Sequence, residues 1–214
     1  MNYFRTIVFI TLITIITISC ESCKSGSYKG PSKECIKFND DGINILSSYP
    51  NMGKNSLDTA IYLFKKALGC DSNNVIFYIN LATAYDKKHS YELEMNVLNK
   101  TLTLTANDPA ILLQKGMLFE RVGRPNDAGK IYKSARSAYA QRLAKRPLDL
   151  KLIKGMILLK AVAESKDEAV KEINRQIVEH PELSSALSDE LLFFNYFNRH
   201  AFVFGLPSEK DLIK

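Results

Sequence analysis

The stretch PAILLQKGMLFERVGRPNDAGKIYKSA, residues 109–135, decides how the chain is read. Leu112, Gly116 and Phe119 recur at steps of four and three, and after the break at Gly123–Arg124–Pro125 so do Ala128, Tyr132 and Ala135. Steps of three and four place residues on one face of a helix, so two amphipathic helices joined by a tight turn are expected. Gly116 and Ala128 have almost no side chain. Two helices meeting at these positions can approach closely, with Leu112, Phe119 and Tyr132 filling the space around the contact.

The same columns recur at a spacing of 34 residues. Ala60, Glu94 and Ala128 form one column and Phe64, Leu98 and Tyr132 another; Tyr78 and Leu112, Ala82 and Gly116, and Tyr85 and Phe119 keep the same step. Glu94 and Thr101 stand where the pattern wants Ala, so the helix from Tyr91 to Leu104 is expected to pack less tightly or to be slightly shifted. Before it, Asn55–Gly69 gives a helix with Asn55 or Ser56 as cap and Gly69 as stop. Cys35–Tyr49 gives only a short helix weakened by Gly42, and Pro50–Gly53 reads as a turn. After residue 135 the helical stripe runs on through Tyr139 and Leu143 to a break at Arg146–Pro147. Leu148–Glu164 follows, with Gly155 in the small position, and Ser165–Glu168 forms a capping box. Placed this way, the unit is about two residues longer at its internal turn. The segment from Leu183 to Phe204, dense in Phe and Tyr, reads as one helix covering the end of the stack.

This pattern of large, small and aromatic residues, a turn Gly, then Ala, aromatic and Ala resembles the tetratricopeptide repeat. The resemblance implies an all-α fold, a right-handed α-α superhelix of about four helix pairs plus a C-terminal capping helix. It also implies that the first helices of successive pairs line a concave groove that binds a protein or peptide. Carried over position by position, the groove residues are Ile79, Thr83, Asp86 and Lys87, then Leu113, Met117, Glu120 and Arg121, then Leu152, Met156 and Lys160. Met-lined apolar floors adapt to apolar segments. The competing expectation is that the aromatic end of the same chain fills the groove. Members of the family that hold a C-terminal carboxylate do so with Lys and Asn, whereas Ile79, Thr83, Leu113 and Met117 stand here and cannot.

The N-terminus has its own logic. Arg5 precedes an apolar run from Thr6 to Ser19, fourteen residues long, which is shorter than the ~20 that cross a bilayer. It reads as an export signal. Thr17-Ile18-Ser19-Cys20 resembles a lipobox with Thr17 in the usual place of Leu, which implies lipidation (palmitate among the acyl groups) at Cys20; an ordinary cleaved signal or an uncleaved anchor is the alternative. Glu21, where Asp would mark inner-membrane retention, points to the outer membrane. The organisation expected is a signal peptide at 1–19, a lipidated flexible tether at 20–34, a helical repeat domain at 35–205 and a polar tail at 206–214.

Removal of residues 1–19 takes away Arg5 and no acid, so the formal charge falls from +6 to +5. This excess is too small to argue for nucleic acid. Three cysteines remain beside Cys20, enough for one pair and a free thiol; a Cys35–Cys70 bridge, the favoured pairing, would staple the segment before the first repeat to the end of that repeat's second helix, while Cys23–Cys35 would only close a loop in the tether. Residues Lys130, Lys133, Arg136, Arg142, Lys145, Arg146, Lys151 and Lys154 form a basic cluster opposite the Ala128/Tyr132/Ala135/Tyr139 stripe. It reads as a solvated outer face, with contact to acidic headgroups as the alternative. No metal-ligand spacing, cofactor motif or catalytic constellation is present, so no enzyme is expected. The function expected is a membrane-tethered, periplasm-facing scaffold that holds a protein or peptide in a cell-envelope complex. An immunity or inhibitor protein that captures a toxin or enzyme is the alternative.

Overall fold

The computed structural model describes residues 30–53 and 55–205. These residues form ten α-helices and a short 3-10 turn, with no strand among them. In chain order the helices are α1 (Lys33–Met52), α2 (Asn55–Cys70), α3 (Val75–Lys87), α4 (Tyr91–Leu104), α5 (Pro109–Arg121), α6 (Pro125–Lys145), α7 (Leu150–Ala163), α8 (Lys166–Glu179), α9 (Ser184–Asn195) and α10 (Arg199–Phe204). The signal segment, Cys20, Cys23, most of the tether and the tail from residue 206 lie outside the described residues. The stretch expected to be one domain divides into two compact units, α1–α4 and α5–α10, with the division between Ala106 and Asn107.

Capping sets the helix starts. Asn74 accepts hydrogen bonds from the N–H groups of Ile76 and Phe77, Asp108 from Ala110, and Asp149 from Lys151 and Leu152. Each side chain thus satisfies donors that the first helical turn leaves without partners. Asn74 and Asp108 are 34 residues apart, and Asp108 and Asp149 are 41 apart. Ala128 and Ala169, both buried, are also 41 apart. The extra seven residues therefore lie upstream of Asp149, in the 21-residue α6, and not in the last pair's internal turn. The turns inside two of the pairs use a left-handed residue: Gly123 (φ 75°) supplies it between α5 and α6, and His89 (φ 57°) takes the matching place between α3 and α4. Glycine adopts this conformation without strain.

In the first unit, α1 packs on α2, α2 on α3 and α3 on α4. Its core joins Leu46, Leu57, Ala60, Ile61, Phe64, Leu81, Ala84 and Tyr85. Contrary to expectation, α1 is a twenty-residue helix that runs through Pro50, and the break comes at Gly53 (φ 81°). Gly42 strengthens this packing, because a Cβ there would lie 2.7 Å from Phe64 Cε1. Glu94 and Thr101 are fully buried in the columns of Ala60 and Ala67, so α4 keeps the register. The Thr101 hydroxyl satisfies itself by donating to Val97 O at 2.8 Å.

In the second unit, α5 packs on α6, α6 on α7, α7 on α8 and α8 on α9. Gly116 admits the Tyr132 ring of its own pair, while Gly155 admits the ring of Tyr139 on the preceding helix α6. Gly155 is therefore not the counterpart of Gly116; the 41-residue step puts Ile157 there, fully buried against a core that includes Ile173. The expected single end helix is broken. α9 caps α8 with Leu187 and Phe194, and Asn198 then caps α10 by accepting from Ala201 N–H. Phe193, Phe194, Phe197 and Phe202 form a chain of rings, with successive centroids 5.0–5.7 Å apart.

Candidate functional site

Each unit carries its own part of the face that the sequence marked as a groove. In the first unit, Ile79 on α3 is buried, and Thr83, Asp86 and Lys87 are half-buried around it. The Thr83 hydroxyl turns back to Ile79 O, 3.0 Å away. Beside them, Asn80 on α3 donates to Asn39 on α1 at 2.7 Å, fixing the two helices to one another.

In the second unit the face is occupied by the chain itself. α10 packs against α5 and α7. Arg199, its first residue, donates from Nη2 to both oxygens of Glu120, at 2.6 and 2.8 Å, and from Nε to Val162 O at 2.5 Å. The Tyr132 hydroxyl donates to the same Glu120 Oε1 at 2.8 Å. Burial, followed by this bond to Glu120, pushes the Tyr132 phenol well above its ordinary pKa, so it remains a donor. Next to Glu120, burial lowers the Arg121 guanidinium to about 10. Leu113 and Met117 are buried, the latter only 8% exposed. Substituting Glu for Met117 would therefore bury a carboxylate rather than alter a free surface.

The expectation for the third set of groove residues requires correction. The 41-residue step replaces Leu152, Met156 and Lys160 with Lys154, Leu158 and Val162. Lys160 instead reaches α8, where its Nζ is 3.3 Å from Glu172 Oε2. Glu172 also accepts from Gln176 at 2.9 Å and pairs with Arg175. Burial works to raise the pKa of Glu172, but Arg175, Gln176 and Lys160 outweigh it and hold the carboxyl below its ordinary value. A carboxyl depressed in the folded state contributes stability above its unfolded value of about 4.3, and that contribution is lost as pH falls through the folded value. Denaturant titrations at pH 3–7 should show stability declining below about pH 4.3, and Glu172→Gln should flatten that decline.

The basic cluster meets acids supplied by the fold. Arg142 pairs with Asp108 at 2.5 Å, Arg146 with Asp149 at 3.1 Å and Lys154 with Glu190 at 2.8 Å. Lys130 lies 3.4 Å from Asp127, and Arg136 pairs with Glu164. At least five of the eight cations therefore have a carboxylate beside them, which weakens the case for an anionic surface as ligand. Cys35 and Cys70 are both free thiols in this structure. They are neighbours: Cys35 is held below its ordinary pKa by a hydrogen bond with Cys70, then by Ser32, while Cys70 is pushed up to about 11 by Cys35. Among the described residues, no three His, Cys, Asp or Glu side chains gather as a metal site. No described helix is long and apolar enough to cross a membrane.

Over 99 residues, 46% of its length, the chain is 32% identical to tetratricopeptide repeat protein 28 of mouse and equally to that of human. The 34-residue columns, buried as the repeat requires, and this relationship agree. The helix pairs are similar to tetratricopeptide repeats. The chain spans only 4% of the length of those two relatives. No family model matches it. Among solved structures, the Yersinia enterocolitica type III secretion translocator chaperone SycD aligns at TM-score 0.46 and 14% identity, covering 62% of this chain and 96% of that one. MamA aligns at TM-score 0.44 and 16% identity, covering 71% and 81%. The residues that sequence reasoning missed are Arg199 and Val162. Arg199 belongs to no repeat column, and a backbone carbonyl leaves no trace in side-chain patterning.

Proposed function

We propose that this tetratricopeptide-repeat chain is a lipid-anchored scaffold that holds a protein or peptide segment in a periplasm-facing complex of the bacterial envelope, on the outer membrane. The observation that carries the scaffold reading is the strip on α3, where half-buried Thr83, Asp86 and Lys87 surround buried Ile79. An apolar floor with a mixed-charge rim suits a segment that buries one face and keeps its polar groups wet. The anchor rests on the signal-like run ending at Cys20. In such an oxidising compartment Cys35 and Cys70, already neighbours, are the pair expected to bridge. The reading assigns the chain no catalytic role.

Two measurements test it. A photo-crosslinking residue at Thr83 should yield a discrete adduct in cells, and the same residue at exposed Lys133 on α6 should not. Identical adducts at both positions would remove the α3 face as the working surface. Labelled palmitate should enter the wild-type chain and be lost in Cys20→Ser; equal labelling of both would eliminate the anchor.

A further inference from the structure

We infer that Glu120, Tyr132 and Val162 O form an arginine-recognition site, and that Arg199 occupies it as an internal stand-in for an arginine-bearing partner segment. The inference deepens the scaffold reading by giving the second unit a ligand chemistry, and it rests on that reading for the partner's existence.

The receptor is built without α10. Glu120 is on α5, Tyr132 on α6 and Val162 on α7, all within the repeats. Tyr132 orients the Glu120 carboxylate from inside its own helix pair, and the Glu120 side chain is only 11% exposed. Val162 O belongs to the last turn of α7, where carbonyls have no intrahelical acceptor role left and carry the negative end of the helix dipole. A planar guanidinium matches this arrangement, spanning both carboxylate oxygens with one nitrogen and reaching the carbonyl with another. A lysine ammonium could not make the same fork.

The occupant is weakly built by comparison. α10 has six residues, too few to be stable alone, and it joins α9 through Tyr196–Asn198. None of its residues belongs to the core cluster of α7, α8 and α9. What holds it is Arg199, together with Val203, which is 2% exposed, and the contact between the Phe197 and Phe202 rings. A segment carrying Arg among aromatic residues would meet the same three helices. Binding it requires α10 to leave, so the second unit is self-inhibited while the strip on α3 is not involved.

The test uses the full chain and a labelled synthetic peptide with the sequence of residues 196–205. Arg199→Ala should bind this peptide at least tenfold more tightly than wild type. Adding Glu120→Gln, or replacing Arg by Ala in the peptide, should abolish the gain. No binding by Arg199→Ala, or binding that ignores Glu120, overturns the inference. Amide hydrogen exchange on the same variant guards against simple unfolding. Exchange in α10 should rise at least tenfold while α5–α8 stay protected; loss of protection throughout the unit would make Arg199 a structural strut and overturn the latch. A wild-type dimer that exchanges α10 between copies would likewise overturn it. Each of these outcomes is independent of the crosslink at Thr83, so this inference can fail while the scaffold reading stands.

Discussion

Phe64→Ala should remove about 3–5 kcal/mol of stability, the range for emptying a fully buried aromatic site. Phe64 is 0% exposed and belongs to the cluster that joins α1, α2 and α3. Its ring lies on the bare backbone of α1 at Gly42, so closely that a Cβ would stand 2.7 Å from it. That contact explains why the loss should be large. At the point of contact α1 presents only Gly42, so the part of the cavity facing that backbone persists and its lining loses contacts outright. Set against the ~5–15 kcal/mol that typical domains possess, the first unit would lose a fifth or more of its margin. Guanidinium denaturation followed by helical circular dichroism would show a lower midpoint with an unchanged slope. A loss below about 1 kcal/mol would mean that α1 does not close on Phe64 at all.

The repeats were legible because their signal is redundant. Ala60, Ala128 and their neighbours recur in several columns at one step, and burial follows those columns even where Glu94 interrupts them. Length variation was not legible in the same way. Gly155 looked like the small residue of the fourth pair because a glycine at a plausible spacing satisfies the pattern, yet it serves Tyr139 on the neighbouring helix. A glycine records that something approaches closely and does not record what. The capping residues were the better guide, since Asp108 and Asp149 mark helix starts by a hydrogen bond that only the first turn can offer. Gly42 misled for a related reason: helix propensity counts a central glycine as a weakness of about 1 kcal/mol, whereas packing against a partner ring reverses its meaning. The site was half legible. Leu113, Met117 and Glu120 were placed on the inner face by register, but the partner of Glu120 is Arg199, far along the chain and outside any repeat.

Gly116→Ala and Gly129→Ala should change stability in opposite directions, although both place a methyl group in the interior of a helix. At Gly129 on α6 an added Cβ meets nothing within 4 Å. The substitution should then stabilise by up to ~1 kcal/mol, from helix propensity and a less flexible unfolded chain. At Gly116 on α5 the same Cβ would overlap the Tyr132 ring, its three nearest atoms all belonging to that ring. Tyr132 cannot easily yield, because it is 6% exposed and its hydroxyl is bonded to Glu120. Overpacking of this kind costs about 1–3 kcal/mol, which outweighs the propensity gain and leaves a net loss. The cause can be isolated by a double-mutant cycle. With Tyr132→Leu in place, the ring is gone, and Gly116→Ala should become neutral or stabilising, giving a coupling energy of about 1–3 kcal/mol. Equal effects of Ala at 116 and 129, or no coupling to Tyr132, would mean that the small residue in the repeat pattern does not set the approach of the two helices. Opposite signs would show that it does, and that the ring holding Glu120 in place for Arg199 is positioned by a missing side chain.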